Sequence, residues 1–343
     1  MSTQKALFLD APKTELVIRD RDIEEPGPGE VLIEVHAVGL IHSDWRIQAL
    51  GIMVTEWPTI LGLDSAGVVK KVGEGVTNVA VGDRVLHQGN RNCRNAVFQH
   101  YTIALAEIVA KIPDNLSFDQ AAVIPVAVGP AAIAFYNKKA PNSLGLTPPW
   151  EEGGRGKYAG EPILIMGGAS AIGQQAIQLA KLGGFSPIIT TCSVHNAAYV
   201  QTLGATHAVE RGTALASTVQ GITSKPIKYA FDTVSLPDTQ NAAYEVLAPG
   251  GTLVIDLPDA VDSTRRTPDK EVGMIFGSPW LPAQREVGKA LYANLTALLE
   301  AGEIKPNNFE VLPNGLAGIP EGLEKVKKGV SALKFVAHPQ ETK

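Results

Sequence analysis

Apolar and polar positions along this chain follow two different rhythms. Up to about residue 125 the apolar residues fall in short runs: Lys5–Leu9, Glu15–Ile18, Val31–Leu40, Ala66–Val72 and Asp83–His87. Pro and Gly break them, as in Glu24–Glu30 (EEPGPGE) and in the tight turns of Val72–Val85 (VGEGVTNVAVGDRV). Many short strands with turn signals between them predict a compact antiparallel barrel or sandwich. From about Ala121 helix and strand alternate. A helix of small residues over Ser117–Tyr136 leads into a loop, Asn137–Glu161, that holds three prolines, five glycines and Trp150. A loop of that length is either a lid or substrate wall, or a plain surface insertion.

The most regular stretch is Pro162–Lys181 (PILIMGGASAIGQQAIQLAK). Ile163, Leu164, Ile165 and Met166 form an unbroken apolar run, as a central parallel strand covered on both faces requires. Ile172, Ala176, Leu179 and Ala180 recur at helical spacing and predict a helix packed on the sheet. Strands at Pro187–Thr191, Ala208–Glu210, Tyr229–Thr233 and Thr252–Leu257 follow, with helices at His195–Leu203 and Asp238–Leu247. This is the rhythm of a doubly wound parallel sheet. Gln284–Glu300 reads as a helix stopped by Gly302. The tail from Asn308 reads as strand, helix (Ile319–Lys328) and strand (Leu333–Val336), returning to complete the first domain.

Between strand and helix stand Gly167 and Gly168, which let the backbone turn sharply, and Gly173, which lets the helix approach the strand. Gly168 and Gly173 match the first and third glycines of the dinucleotide fingerprint G-x-G-x-x-G, with Ser170 at the middle position. A turn of this kind offers free amides and the positive end of a helix dipole to a pyrophosphate. The hydroxyl of Ser170 is a further phosphate contact on this reading.

Composition narrows the picture. A chain of 343 residues, 45% hydrophobic and 19% charged, predicts a folded protein of two domains. Its net charge of −5 leaves no basic stripe for a nucleic acid. The two cysteines, Cys93 and Cys192, allow neither a disulfide framework nor a zinc ribbon. The start MSTQKALFLDAPKTEL has no signal-peptide core, and no run of about 18 apolar residues is evident, so no membrane span and a cytoplasmic location are expected.

The end of the second parallel strand, Ile188 to Asn196, bears on cofactor choice. A site for NAD usually places a carboxylate there to hold the ribose 2′-hydroxyl, and this stretch has none. Ser193, His195 and Asn196 can instead donate to a 2′-phosphate, and Arg211 beyond the next strand adds positive charge. The reading is NADPH. Capping of the helix that begins near His195 is compatible with it.

Two further stretches carry a family resemblance. They are Gly39-Leu40-Ile41-His42-Ser43-Asp44-Trp45-Arg46 and Gly62-Leu63-Asp64-Ser65-Ala66-Gly67-Val68-Val69, with VGDRV (Val81–Val85) after them. With the glycine turn at the right spacing, the chain resembles the medium-chain dehydrogenase/reductase superfamily over essentially its whole length. The resemblance implies an α/β protein with a GroES-like β-rich catalytic domain and a Rossmann doubly wound parallel sheet. The expected boundaries are 1–125 plus 305–343 for the first and 126–304 for the second. Zinc alcohol dehydrogenases of that superfamily bind metal through a cysteine and a histidine whose positions are here Ile41 and Leu63. Neither side chain can ligate zinc, so a zinc-free enzyme is expected.

The wording Ser43-Asp44-Trp45-Arg46, Phe98-Gln99-His100-Tyr101, GGASAIGQQAIQLAK, GFSPIITTCS and GATHAVE is similar to the fungal trans-acting enoyl reductases, and more distantly to quinone oxidoreductases. The resemblance implies NADPH contacts at Ser43, Asp44, Trp45, Arg46, Ser170, Ala171, Ile172, Gly173, Ser193, His195, Asn196 and Leu257, besides Gly168 and Arg211 from the residues themselves. It places Ala131–Lys138 along the substrate. Departures are Arg46 where the family has lysine, Pro130 where it often has threonine, and Arg211 where it often has tyrosine.

The implied reaction is hydride transfer from NADPH to the β-carbon of an activated double bond, in an enone or enoyl thioester, with no metal. His42, Arg46 and Tyr136 are the candidate donors to the oxygen or the α-carbon. Each also has a plain structural role open to it: a backbone hydrogen bond for His42, a phosphate or ribose contact for Arg46, packing for Tyr136. A quinone reductase and a non-catalytic NADPH-binding relative are the alternatives. Expected partners are a small-molecule or carrier-bound enoyl substrate and a polyketide synthase. The chain is expected as a monomer or homodimer, with strand edges near Gly251–Asp256 available for pairing.

Overall fold

In the computed structural model, which describes residues 2–138 and 142–343, the β-rich half opens with β1 (Thr3–Leu9), β2 (Leu16–Asp22) and β3 (Glu30–Gly39). Helix α1 (His42–Leu50) and strands β4 (Thr59–Ile60), β5 (Asp64–Val72), β6 (Arg84–Gln88), β7 (Tyr101–Leu105) and β8 (Val109–Lys111) follow. The chain divides into two compact units, the first being residues 1–126, 292–301 and 306–343, the second residues 127–291 and 302–305.

In the first unit β1 pairs antiparallel with β2 and β4. The larger sheet is organised on β3, which pairs antiparallel with β5 and β7. Two register shifts between β3 and β5, at Leu32/Ile33 and Val35/Ala37, mark irregularities of the kind that bend a strand. Val35, Val38 and Ile60 on these strands, with Phe98 from the segment between β6 and β7, are fully buried in one core.

The small-residue helix expected over Ser117–Tyr136 is two helices, α2 (Phe118–Ala121) and α3 (Pro125–Tyr136), separated by residues 122–124. Ser117 caps α2 in a capping box with Gln120. Pro125, which has no amide hydrogen to leave unpaired, opens α3. Taken together, Phe118–Tyr136 is long and apolar enough to cross a membrane, which corrects the expectation that no such run exists. Its central window is 78% buried inside the protein, as a core helix is.

The second unit continues with β9 (Ile163–Met166), α4 (Ala171–Leu182), β10 (Ile188–Cys192), α5 (Ala197–Leu203), β11 (His207–Glu210) and α6 (Leu215–Ile222). Then come β12 (Ile227–Asp232), α7 (Pro237–Val246), β13 (Leu247–Ile255) and β14 (Glu271–Met274), followed by α8 (Arg285–Glu300), which belongs to the second unit up to residue 291 and to the first from residue 292. The six strands form one parallel sheet in the order β11-β10-β9-β12-β13-β14. This is the Rossmann order, and it reverses between β9 and β12, where such sheets open a crevice at their carboxyl ends. Neither α6 nor β14 was expected. Because β14 pairs outside β13, residues 252–255 lie in the sheet interior and not at an edge. The tail forms β15 (Phe309–Val311), α9 (Ile319–Lys328) and β16 (Lys334–Ala337), and β16 pairs with β3 in the first unit.

The loop Asn137–Glu161, of which residues 139–141 lie outside the described residues, is tied to α3 and to Phe185. The amides of Leu144 and Leu146 donate to the carbonyls of Ala134 and Phe135, each at 2.7 Å. Thr147 N donates to Tyr158 Oη at 2.7 Å, and the Tyr158 ring stacks on Phe185 with centroids 4.7 Å apart.

Candidate active site

The strand, turn and helix over 163–182 form the cradle the glycines suggested. Gly167 has φ +77°, a left-handed value that favours glycine. A Cβ on Gly168 would collide with Thr190 Oγ1, and one on Gly173 with the Gly167 carbonyl. The turn is tied to β10, since Gly167 N donates to Thr191 Oγ1 at 3.0 Å and Gly168 N to Thr191 O at 2.9 Å. Ser170 is the N-cap of α4: its Oγ accepts from Gly173 N at 2.9 Å and lies 2.7 Å from Thr233 Oγ1. Ala176, Ile177, Leu179 and Ala180 are fully buried and hold α4 in place. Ala171 and Ile172, in its first turn, are half-buried. Bare backbone beside the amino end of a twelve-residue helix is what a pyrophosphate needs, so the residues present fit a dinucleotide.

Past the end of β10 the structure brings Ser193 and Arg211 together, with Arg211 Nη2 donating to Ser193 Oγ. The Arg211 amide also donates to Cys192 O at 3.1 Å. His195 is exposed and Asn196 buried, both in a 3-10 turn (Val194–Asn196) that precedes α5. Ser193 precedes this turn but makes no side-chain cap bond, so capping does not occupy its hydroxyl. Leu257 is half-buried two residues beyond β13.

In the first unit, α1 carries the other candidates. Asp44 is 1% exposed, and its Oδ2 accepts from Ile41 N at 3.0 Å, closing the first turn. Burial pushes its carboxyl up to about 7, against the pull of the Ile41 amide and Arg91. Ser43 Oγ and Trp45 Nε1 are buried with no hydrogen-bond partner among the described residues. The Arg46 guanidinium stands 5.7 Å from the Trp45 ring centre, a cation–π arrangement. His42 is exposed at the start of the helix. Desolvation by its surroundings, and then the charges of Arg46 and Lys334, hold its imidazole below its ordinary pKa.

At the two zinc-ligand positions stand Ile41 and the buried Leu63. Among the described residues no three His, Cys, Asp or Glu side chains gather where they can hold a metal. The residue after Leu63, Asp64, is fully buried; its Oδ2 accepts from Lys334 Nζ and its Oδ1 from Val126 N at 2.6 Å. Burial pushes the Asp64 carboxyl up while Lys334 pulls it down.

In the second unit Tyr136 is 3% exposed and packs edge-on against Trp150 with centroids 5.2 Å apart. Burial raises its pKa far above that of a free phenol, which makes it a weak acid. Pro130 lies in α3 beneath Gly277, where a Cβ would stand 2.9 Å from the proline ring.

Residue-by-residue reading missed Thr191 and Thr233, which shape the glycine turn, and the Asp64–Lys334 pair. A threonine just past a buried strand (Phe231-Asp232-Thr233) was a usable signal for the turn. For a pair 270 residues apart no local signal exists.

Residues 27–114 match the alcohol dehydrogenase GroES-like domain, and residues 171–255 the zinc-binding dehydrogenase domain. A Penicillium protein named trans-enoyl reductase grgB is 33% identical over 84% of this chain and 85% of its own. An Aspergillus terreus protein named as the enoyl reductase component lovC of lovastatin nonaketide synthase is 29% identical, over 80% of this chain and 79% of its own. For other curated relatives, named dehydrogenases of Aspergillus niger, the match spans 61% and 60% of their length. The solved structure of an alcohol dehydrogenase superfamily protein from Novosphingobium aromaticivorans shares the fold, with a TM-score of 0.81 at 22% identity over 97% of this chain and 98% of that one. The chain belongs to the medium-chain dehydrogenase/reductase family of oxidoreductases.

Proposed function

We propose that the protein is an NADPH-dependent reductase of an activated carbon–carbon double bond, in an enone or an enoyl thioester, working without a metal. The observation that carries the reading is the match over 85% of the length of a relative named trans-enoyl reductase. Ile41 and Leu63, which have no metal-ligating atoms, support it. NADPH, as against the nicotinamide dinucleotides in general, is supported by the lack of a carboxylate over 188–196 and by Arg211 beside Ser193. A polyketide synthase that presents a carrier-bound substrate is the proposed partner, on the printed name of the Aspergillus terreus relative.

The proposed holders of the dinucleotide are Gly168, Ser170, Ala171, Ile172 and Gly173 at the pyrophosphate and Ser193, His195, Asn196 and Arg211 at the 2′-phosphate. Ser43, Asp44, Trp45, Arg46 and Leu257 join them by resemblance. When bound, NADPH supplies the hydride that adds to the β-carbon. The chain's own groups then deal with the oxygen that gains negative charge. His42, whose imidazole is held below its ordinary pKa by desolvation and by the charges of Arg46 and Lys334, donates an N–H to that oxygen. Arg46 adds a permanent charge but cannot give up a proton near neutral pH. Tyr136 is buried and too weak an acid to be the main source, which leaves solvent to protonate the α-carbon.

Oxidation of NADPH and NADH, followed by absorbance with an enone, an enoyl thioester and a quinone as acceptors, tests the reading. Turnover of the enone or thioester with NADPH is expected. Turnover of the quinone alone would move the assignment to a quinone reductase. Tight NADPH binding with no acceptor turned over would make it a non-catalytic relative, as Arg46 and Pro130 in place of the family's residues favour.

A further inference from the structure

Gln240 is fully buried on α7, and its side-chain amide is bonded in three directions. Nε2 donates to Ser235 O at 2.9 Å and to Pro258 O at 3.0 Å, and Oε1 accepts from Ala260 N at 2.7 Å. Ser235 belongs to the turn after β12; Pro258 and Ala260 belong to the loop after β13. Both connections leave the carboxyl ends of neighbouring parallel strands, where a doubly wound sheet binds its ligand.

The turn after β12 is itself tied to the glycine cradle. Ser235, at φ +52°, donates through Oγ to Asp232 O at 2.6 Å and accepts from Asp256 N at 2.9 Å. Its neighbour Thr233 meets Met166 O at 2.8 Å and Ser170 Oγ at 2.7 Å. Through the backbone of residues 233–235, these bonds link the cap of α4 to the loop that carries Leu257.

We propose that Gln240 is a positioning residue for the bound dinucleotide, setting the loop after β13 against the turn after β12. The inference rests on the NADPH reading above and deepens it. That loop, residues 256–262, has no strand or helix of its own to hold it. Without the amide, two carbonyls and an amide hydrogen lose their partner together. A residue kept only to fill the core beside Ala243 would be apolar. A second polar residue of the same helix, Tyr244, serves a different segment: its Oη accepts from Thr267 N at 2.9 Å.

That difference provides the control. Gln240→Met keeps the side-chain length and removes the three bonds; Tyr244→Phe removes a buried bond from the same helix without touching the 256–262 loop. NADPH is titrated into each full-length variant, with hydrogen exchange of the 256–262 amides as a readout independent of turnover. Gln240→Met is expected to weaken NADPH by about tenfold and to speed exchange across the loop. Tyr244→Phe is expected to leave both unchanged, whatever its melting temperature. Gln240→Glu, which cannot donate to two carbonyls, is expected to lose affinity further as its carboxyl ionises with rising pH. Wild-type protein that binds NADPH alongside a folded Gln240→Met that binds it equally well would overturn the inference alone. Wild-type protein that binds no NADPH would overturn the functional reading, and this inference with it.

Discussion

The hydroxyl of Ser170 lies 2.7 Å from that of Thr233 while it accepts, at 2.9 Å, from the amide of Gly173. One side chain thus closes the first turn of α4 and ties the cradle to the end of β12. Loss of an N-cap hydroxyl costs about 1 kcal/mol, whereas glycine at a cap costs only a few tenths. Ser170→Ala is therefore expected to lower stability by about 1 kcal/mol and to weaken NADPH. Ser170→Gly, which completes the G-x-G-x-x-G pattern, is expected to keep most of both. Urea denaturation and NADPH titration of the two variants check this; Ser170→Gly falling below Ser170→Ala would contradict it.

Arg211 is exposed and directs Nη2 to Ser193. A guanidinium gains most from a phosphate and little from a neutral hydroxyl. Arg211→Ala should weaken NADPH by about tenfold or more and leave NADH within about twofold, a loss of about 1.4 kcal/mol confined to one cofactor. Calorimetric titration of both cofactors decides the matter, and equal losses would remove Arg211 from the 2′-phosphate.

Asp64 and Lys334 form a buried pair, with side chains 0% and 5% exposed. Removing one partner of such a pair strands the other charge and typically costs about 3–5 kcal/mol. Lys334→Met should be destabilised on that scale, and the double variant Asp64→Asn/Lys334→Met should recover most of the loss. A double-mutant cycle in urea measures the coupling. Losses that simply add would show that the two charges do not depend on each other.

His338 Nε2 lies 2.7 Å from Asp119 Oδ1, and Nδ1 lies 3.0 Å from Glu341 Oε1. Burial alone would lower its pKa, but the two carboxylates outweigh it and raise the value above 6.5. A folded-state pKa above the unfolded one means stability that is complete below about 6.5 and is lost as pH rises through the folded value. The melting-temperature gap between wild type and His338→Gln should be widest at acidic pH and close on the alkaline side. A gap that widens with pH would contradict the assignment.

The glycine cradle was legible in the chain because strand, turn and helix are contiguous there. Apolar runs and helical spacing encode which face is buried, and the glycines stand where no Cβ fits. Elsewhere the pattern misled. Phe118–Tyr136 is apolar apart from Asp119 and Gln120, so its spacing did not mark the break at 122–124, and Pro125, which opens α3, was the local sign that went unread. The strand β14 is four residues with a glycine at its centre, and α6 carries Gly221 in its last turn; both give weak local signals.

Local chemistry in the chain was enough to specify the dinucleotide turn and the missing carboxylate near Ser193, while the family resemblance marked Ile41 and Leu63 as standing at zinc-ligand positions. Each depends on residue type at a position within one element. Long-range partnerships were settled only by folding: Lys334 on Asp64, Ser170 on Thr233, Gln240 between two loops, and Tyr136 sealed against Trp150. A side chain's hydrogen-bonding capacity is written in its type, but its partner is chosen by which strands the sheet places side by side.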